Sequence, residues 1–491
     1  MKKIFCFLFV AATCAACSLQ REDYTEIYPE TIFKTETDLE LAVNALYYSF
    51  NMGDWNGVYR ADYSGYQVAS DLTTDATWCN WGWESDDYYY HQWTGTTGRV
   101  QSKFYDLFSG YNFLSKARNT IRRIEASDVA DDTKARYLGE ARALRGWYAL
   151  FLYDLFGPVP VASDDILDDP ETFVYLPRLT DAEYDVMMDD DLLKAIDLLP
   201  ERPVARGRMG KGAARMILLK YYMIRGQYDK AEPLARDLYA MEGIYGLQSD
   251  YASIFSIENA ANNEVILQIC GNVNSSGTVN YMTAECLPGD MLWAEKAEGW
   301  GGYIMPWDFY DGFEQGDKRL ACVYDHYTAK NGETVSREAL KGAVVLKYAM
   351  DPAMQGSQSG NDLVVFRYSD VLLTLAELIN RNTGAPTAEA YALVNRVRNR
   401  AGLDNLPGAL SYEQFNDLLL RERGHEFYME GLRRQDLIRF GKYVEYANAR
   451  IDEANAAGQS FFHVDESHNR FPIEKTFIDE SRGAIKQNPG Y

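Results

Sequence analysis

Residues 211–241 read KGAARMILLKYYMIRGQYDKAEPLARDLYAM, and the reading of this stretch decides the fold. Residues 211–225 carry Ala213, Leu219 and Tyr222 on one face, a Gly226-Gln227 pair breaks the pattern, and residues 228–241 resume it with Ala231. Two helices folded back on each other satisfy that spacing. Outward from it the same period recurs. Residues 367–402 form a second hairpin turning at Gly384-Ala385-Pro386, and a further helix covers 412–429. On the N-terminal side, residues 35–50 place Leu39, Val43, Leu46 and Phe50 on one face, and residues 104–124 do the same with Leu107, Phe108, Phe113, Leu114 and Ile121. Residues 136–156 form the strongest helix and stop at the Gly157-Pro158 breaker pair; 184–199 end at Pro200.

The small residues of 211–241 resemble those of a tetratricopeptide repeat, in which they let paired helices pack closely. A hairpin alone leaves an apolar face uncovered, so hairpins before and after the middle of the chain must share a core. The expected fold is therefore mainly α: tetratricopeptide-like hairpins near 211–242 and 367–402 in one large domain, residues 17–491. Irregular loops and a few short strands are inserted between 255 and 365, the strands at Val265–Ile269 and 344–346.

The formal charge of −23, from 49 basic against 72 acidic residues, excludes partners held by phosphate neutralisation, so no nucleic acid is expected. No window of about 18 apolar residues is present, which excludes a membrane-spanning helix. Lys2 and Lys3, an apolar run from Ile4 to Ala12 and small residues after it describe an export signal over residues 1–16. Cys14-Ala15-Ala16-Cys17 resembles a bacterial lipobox with Cys in place of the usual Leu, which makes Cys17 the lipidation residue; simple secretion is the alternative. Cleavage removes two lysines and no acids and leaves a net charge of −25. Cys79, Cys270, Cys286 and Cys322 have no framework or metal-ligand spacing; isolated buried thiols are expected, with a Cys270–Cys286 bridge left open by export. No cofactor is expected, and a structural cation stays open.

Function is read from tryptophan placement. Five of the nine lie between residues 55 and 93 and three more at 293, 300 and 307, all amid Gly, Asn and Asp with no periodicity. Such segments read as surface loops, where clustered aromatics bind ligands or fill irregular cores. Rings flanked by Asn, Asp and Gln suit sugars, which offer apolar C–H faces and hydroxyls. One ring stacked on an indole removes about 100 Å² from water, or about 2.5 kcal/mol gross. The candidate glycan-binding residues are Trp78, Trp81, Trp83, Tyr89, Trp293, Trp300, Tyr303 and Trp307.

Catalysis is not indicated. His425-Glu426 lacks the second His of a zinc protease, and Gly207-Arg-Met-Gly210-Lys-Gly212 lacks the P-loop spacing. Asp86/Asp87 and Asp189-Asp190-Asp191 read as turn acids and a solvated helix start, although a glycosidase pair could be drawn from them. Glu422, Glu426 and Glu430 share one helix face with nearby arginines, which reads as a salt-bridge and capping network.

Taken together, several stretches resemble the SusD/RagB-type nutrient-binding lipoproteins: residues 138–148 (LGEARALRGWY) with 155–160 (LFGPVP), Arg367 to Leu373 with Ala376-Glu377, and 393–402 (LVNRVRNRAG). Glu422-Arg423, Glu430 to Arg433, Asp436-Leu437, Phe471-Pro472-Ile473 and 487–491 (QNPGY) also fit. The motifs run in family order, whereas 55–103 and 270–362 match poorly; in the family these are the variable ligand-binding loops. The resemblance implies a helical scaffold anchored by lipid in the outer membrane and facing outward. It further implies a SusC-type TonB-dependent transporter as partner, with the protein passing an oligosaccharide or polysaccharide to it. Capture of peptides or other nutrients is the alternative within binding proteins; a secreted α-helical glycoside hydrolase is the alternative from another class.

Overall fold

The computed structural model describes residues 33–491 apart from 54–56, 63, 83, 97–98, 170 and 276. The expected leader 1–16, the lipidation residue Cys17 and the ring of Trp83 lie outside the described residues. The frame is helical: α1 (Glu36–Tyr47), α2 (Asn112–Glu125), α3 (Asp131–Phe156), α4 (Asp181–Leu198), α5 (Lys211–Arg225), α6 (Tyr228–Tyr239), α7 (Tyr368–Thr383), α8 (Ala388–Arg400) and α9 (Tyr412–Phe427). The two expected hairpins are α5–α6 and α7–α8, and α6 packs on α7, so they join. Thr180 with Glu183 and Ser411 with Gln414 form capping boxes that start α4 and α9. The 104–124 reading is corrected to two helices, Gln101–Ser109 and α2, broken at Gly110, where a weak helix former interrupts the apolar stripe.

Helix α3 is buried continuously from Gly139 to Phe156, as a central helix must be. Its packing explains Gly146: a Cβ there would meet Leu192 Cδ2 of α4 at 2.6 Å. The charges on α3 are also inside. Arg142 and Arg145 hold the two oxygens of Asp191 at 3.0 and 2.7 Å, and Asp154 receives Arg434 at 2.6 Å. The acidic run 189–191 is thus corrected from a solvated helix start to the middle of α4, with Asp191 buried as an α3 anchor. The main apolar core among the described residues runs from Leu39 to Ile485.

Strands are short and lie among the loops. β1 (Trp78–Cys79), β2 (Tyr303–Met305), β3 (Val323–Tyr324) and β4 (Ala343–Val345) form an antiparallel sheet in the order β1-β2-β4-β3. Val265–Ile269 pairs antiparallel with Leu363–Arg367. The expectation of an unstructured aromatic loop at 75–93 is corrected: the stretch contains β1 and the helix Glu84–Tyr89, and Tyr88 and Trp93 are fully buried. It lacked a single period because it contributes a strand, a turn and a helix in succession.

The charged stretch at the end of α9 is a buried network. Arg319 reaches Glu422 at 2.6 Å, Glu426 at 3.2 Å and Asp317 at 2.7 Å; Arg367 reaches Glu264 at 2.9 Å and Glu430 at 2.8 Å, and also pairs with Glu426. Arg400 pairs with the same Glu426 and Lys347 with Glu430. These pairs tie the loop-and-strand middle of the chain to the C-terminal helices, the structural role expected from their spacing. Cys270 and Cys286 carry free thiols, so no bridge joins them. Among the described residues no helix is long and apolar enough to cross a membrane.

Candidate functional site

The two tryptophan-rich segments meet at the sheet. Trp78 pairs with Ile304 and Cys79 with Tyr303 across β1 and β2, which brings Trp81 to the 300–302 turn. Asn80 N donates to Gly302 O at 2.9 Å, its Nδ2 to Gly301 O at 3.0 Å, and Trp81 Nε1 to Trp300 O at 3.3 Å. Gly302 is required by this approach, since a Cβ would lie 2.5 Å from the Trp81 ring. From the other side, Trp300 N donates to Ala284 O and Gly302 N to Glu285 O, each at 2.7 Å. The turn is thereby laced to the short helix Met282–Cys286. Trp81 is 45 % exposed and Trp300 46 %, large values for indoles fixed on both sides by backbone bonds.

Below Trp300 is a cavity of about 280 Å³ lined by Arg60, Asp62, Tyr281, Glu285, Trp300 and Ser357 among others. The volume lies just below the ~300–1,000 Å³ typical of ligand pockets, room for one end of an oligosaccharide. Tyr281 stacks on Trp300 with 6.0 Å between ring centres and 15° between planes. Arg60, the one basic group among the described residues of the wall, bonds Asp62 at 2.7 Å and Asp106 at 3.1 Å and is already paired. Burial, with the Asp62 charge adding, pushes the Glu285 carboxyl up to about 8.

The remaining sequence candidates separate into supports and outliers. Tyr303 is buried, packs 6.0 Å from Trp81 and donates to Ala61 O at 2.9 Å, which fixes the loop carrying Arg60 and Asp62. Trp78 is half-buried against Tyr89, whose own ring is buried. Trp293 lies half-buried against Tyr324, and Trp307 donates to Leu340 O at 3.2 Å beneath the Arg337 guanidinium; neither lines the cavity. The structure adds Arg60, Asp62, Tyr281, Glu285 and Ser357. Only the Tyr281/Glu285 spacing of four, which puts both on one helix face, could have been read beforehand.

A larger cleft, about 510 Å³, is lined by Asp308, Asp417, Arg421, His425, Arg433 and Lys442 among others. It contains no tryptophan and its walls are charged, so it offers a sugar face less than the Trp300 cavity does. Among the described residues no group of three His, Cys, Asp or Glu is placed to hold a metal ion.

A helix-hairpin scaffold presenting an aromatic-rimmed cavity between inserted loops has the build of a binding protein. The SusD family model matches residues 339–491. The SusD-like protein P2 of Formosa agariphila is 24 % identical over 99 % of both chains. The starch-binding protein SusD of Bacteroides thetaiotaomicron is 24 % identical over 89 % of this chain and 86 % of its own. Surface glycan-binding protein A from B. thetaiotaomicron, in complex with laminarihexaose, superposes with a TM-score of 0.72 at 22 % identity, over 92 % of this chain and 99 % of that one. Over nearly its whole length the chain is thus similar to SusD-like proteins, and its C-terminal third matches the SusD family model.

Proposed function

We propose that this chain is a non-enzymatic surface protein that captures an oligosaccharide on Trp81, Trp300 and Tyr281 and hands it to a SusC-type TonB-dependent transporter of the outer membrane. The observation that carries the reading is a pair of half-exposed tryptophans, the Trp81 indole N–H bonded to the Trp300 carbonyl, with the Trp300 ring on the wall of a cavity that also presents Glu285, Asp62 and Ser357. Two relatives reported above are a starch binder and a protein complexed with laminarihexaose, which supports a glycan as the ligand class. The scaffold needs no cofactor for this role. A lipid on Cys17 would hold the protein on the outward face of the membrane.

Binding is tested by native electrophoresis in gels cast with a polysaccharide panel, with an assay for new reducing ends alongside. We expect retention without hydrolysis, and a loss of about tenfold or more for Trp300→Ala or Trp81→Ala at unchanged melting temperature. Unchanged retention in both variants would place the ligand elsewhere, and new reducing ends would make the protein an enzyme. For the anchor, Cys17→Ala should release the protein from membranes into the soluble fraction; continued sedimentation with membranes contradicts lipidation at Cys17.

A further inference from the structure

Glu285 follows Tyr281 by one helical turn, and both line the cavity under Trp300. The residue is 4 % exposed, and its Oε2 is closed off from solvent with no hydrogen-bond partner. Buried polar atoms are nearly always hydrogen-bonded, so one left open in a cavity wall is available to a group that enters the cavity. Arg60, the basic side chain in that wall, is committed to Asp62 and Asp106.

We propose that Glu285 is the selectivity residue of this cavity: its carboxyl hydrogen-bonds a hydroxyl of an uncharged sugar, and the site bars sugars that carry carboxylate or sulfate groups. The inference rests on the glycan reading above and names the class of glycan. With its one guanidinium shared by two carboxylates, the wall has, among the described residues, no uncommitted positive charge to offer an anion. The groups around Glu285 are Arg60 and Asp62 from the 57–62 segment, Tyr281 and Cys286 on its own element, and Cys79 beyond Cys286 on β1. Burial pushes the Cys286 thiol further up, so it stays neutral. With its own carboxyl pushed up to about 8, Glu285 keeps its proton at neutral pH. It then donates through O–H to a sugar oxygen and accepts a sugar O–H at its carbonyl. Above that pH the donor is lost and a lone negative charge remains in the cavity, so affinity for an uncharged sugar falls as pH rises.

The test is native electrophoresis of the mature protein in gels cast with laminarin, soluble starch or sodium alginate, at pH 6.5 and 9.5. We expect retention by laminarin or starch at pH 6.5, about fivefold less at pH 9.5, and none by alginate. Glu285→Gln, which cannot ionise, should keep most of the retention and lose the pH dependence. Glu285→Ala should weaken retention about threefold to tenfold at pH 6.5. As a check on protonation, the melting temperature of Glu285→Gln should exceed that of the natural protein by a margin that grows from pH 5 to about 8 and then levels. Retention by alginate, or by neither uncharged polymer, overturns the inference. So does a result in which Trp300→Ala loses retention while both Glu285 variants behave like the natural protein. If Trp300→Ala retains polymer unchanged, the aromatic-rim reading itself fails, which is a different outcome.

Discussion

Glu426→Ala should lower the stability of the protein by about 3–5 kcal/mol, a large share of the roughly 5–15 kcal/mol that holds a folded protein together. Glu426 is fully buried at the end of α9 and pairs with Arg319, Arg367 and Arg400, which come from the loop region, a strand and α8. Its removal leaves three guanidinium groups short of a counter-charge in a place water does not reach. The cost comes from that imbalance, so Glu426→Gln, which keeps shape and hydrogen-bond acceptance, should be milder than Ala. Burial alone would raise the Glu426 carboxyl, but the guanidinium groups of Arg400, Arg367 and Arg319 overcome it and hold it well below the usual carboxylate range. Glu377, buried against Arg439 and Arg381, is likewise brought down to about 2 despite its burial. Depressed carboxyls contribute stability above their unfolded values, near 4.5, and lose it as pH falls toward the folded ones. Unfolding by acid should therefore set in below about pH 4.5 and be shifted to higher pH in Glu426→Gln. Denaturant melts of the three proteins at pH 7 and 4 check this; a Glu426→Ala midpoint within 1 kcal/mol of the natural protein contradicts it, by the standard of a surface pair.

The second large effect is expected at Trp147→Ala, also about 3–5 kcal/mol. This indole lies in the buried part of α3, stacks on Phe50 with ring centres 4.0 Å apart and planes 9° apart, and donates from Nε1 to Tyr59 Oη at 3.0 Å. Phe50 ends the short 3-10 turn that follows α1, and Tyr59 precedes the Arg60–Asp62 pair that lines the cavity. The cavity left by the indole therefore undermines both the helical frame and one wall of the site. Retention of polysaccharide should weaken in Trp147→Ala together with a lower melting temperature, whereas Trp300→Ala should weaken retention alone. A Trp147→Ala protein that melts as the natural one does would contradict the core assignment.

Most of the frame was legible because long helices repeat one period many times. Residues 211–225, 367–402 and 412–429 declare themselves through faces of Ala, Leu and Tyr, and the structure departs from them by only a few residues at the ends. The buried network was legible as a structural one from Glu422, Glu426 and Glu430 at four-residue steps; that its partners are Arg319 and Arg367 was not, because those come from distant loops and strands. The site divides in the same way. Trp81 and Trp300 stand out by composition, but their meeting depends on β1 and β2, strands too short to show alternation, and joins residues 219 positions apart. Glu285 escaped notice because an isolated acid in a short helix has nothing in the sequence to mark its burial. Trp293 and Trp307 share the sequence texture of Trp300, yet their rings face Tyr324 and Arg337; local composition does not say which side of a loop faces the cavity.

The central claim is that the paired indoles and the cavity beneath them hold the sugar. A crystal structure of the mature protein soaked with the oligosaccharide that it retains tests this directly. One sugar ring is expected stacked on Trp300, a second ring at Trp81, and a sugar hydroxyl within hydrogen-bond distance of the Glu285 carboxyl. An oligosaccharide seated instead in the charged cleft between His425 and Lys442, with the Trp300 cavity untouched, would contradict it.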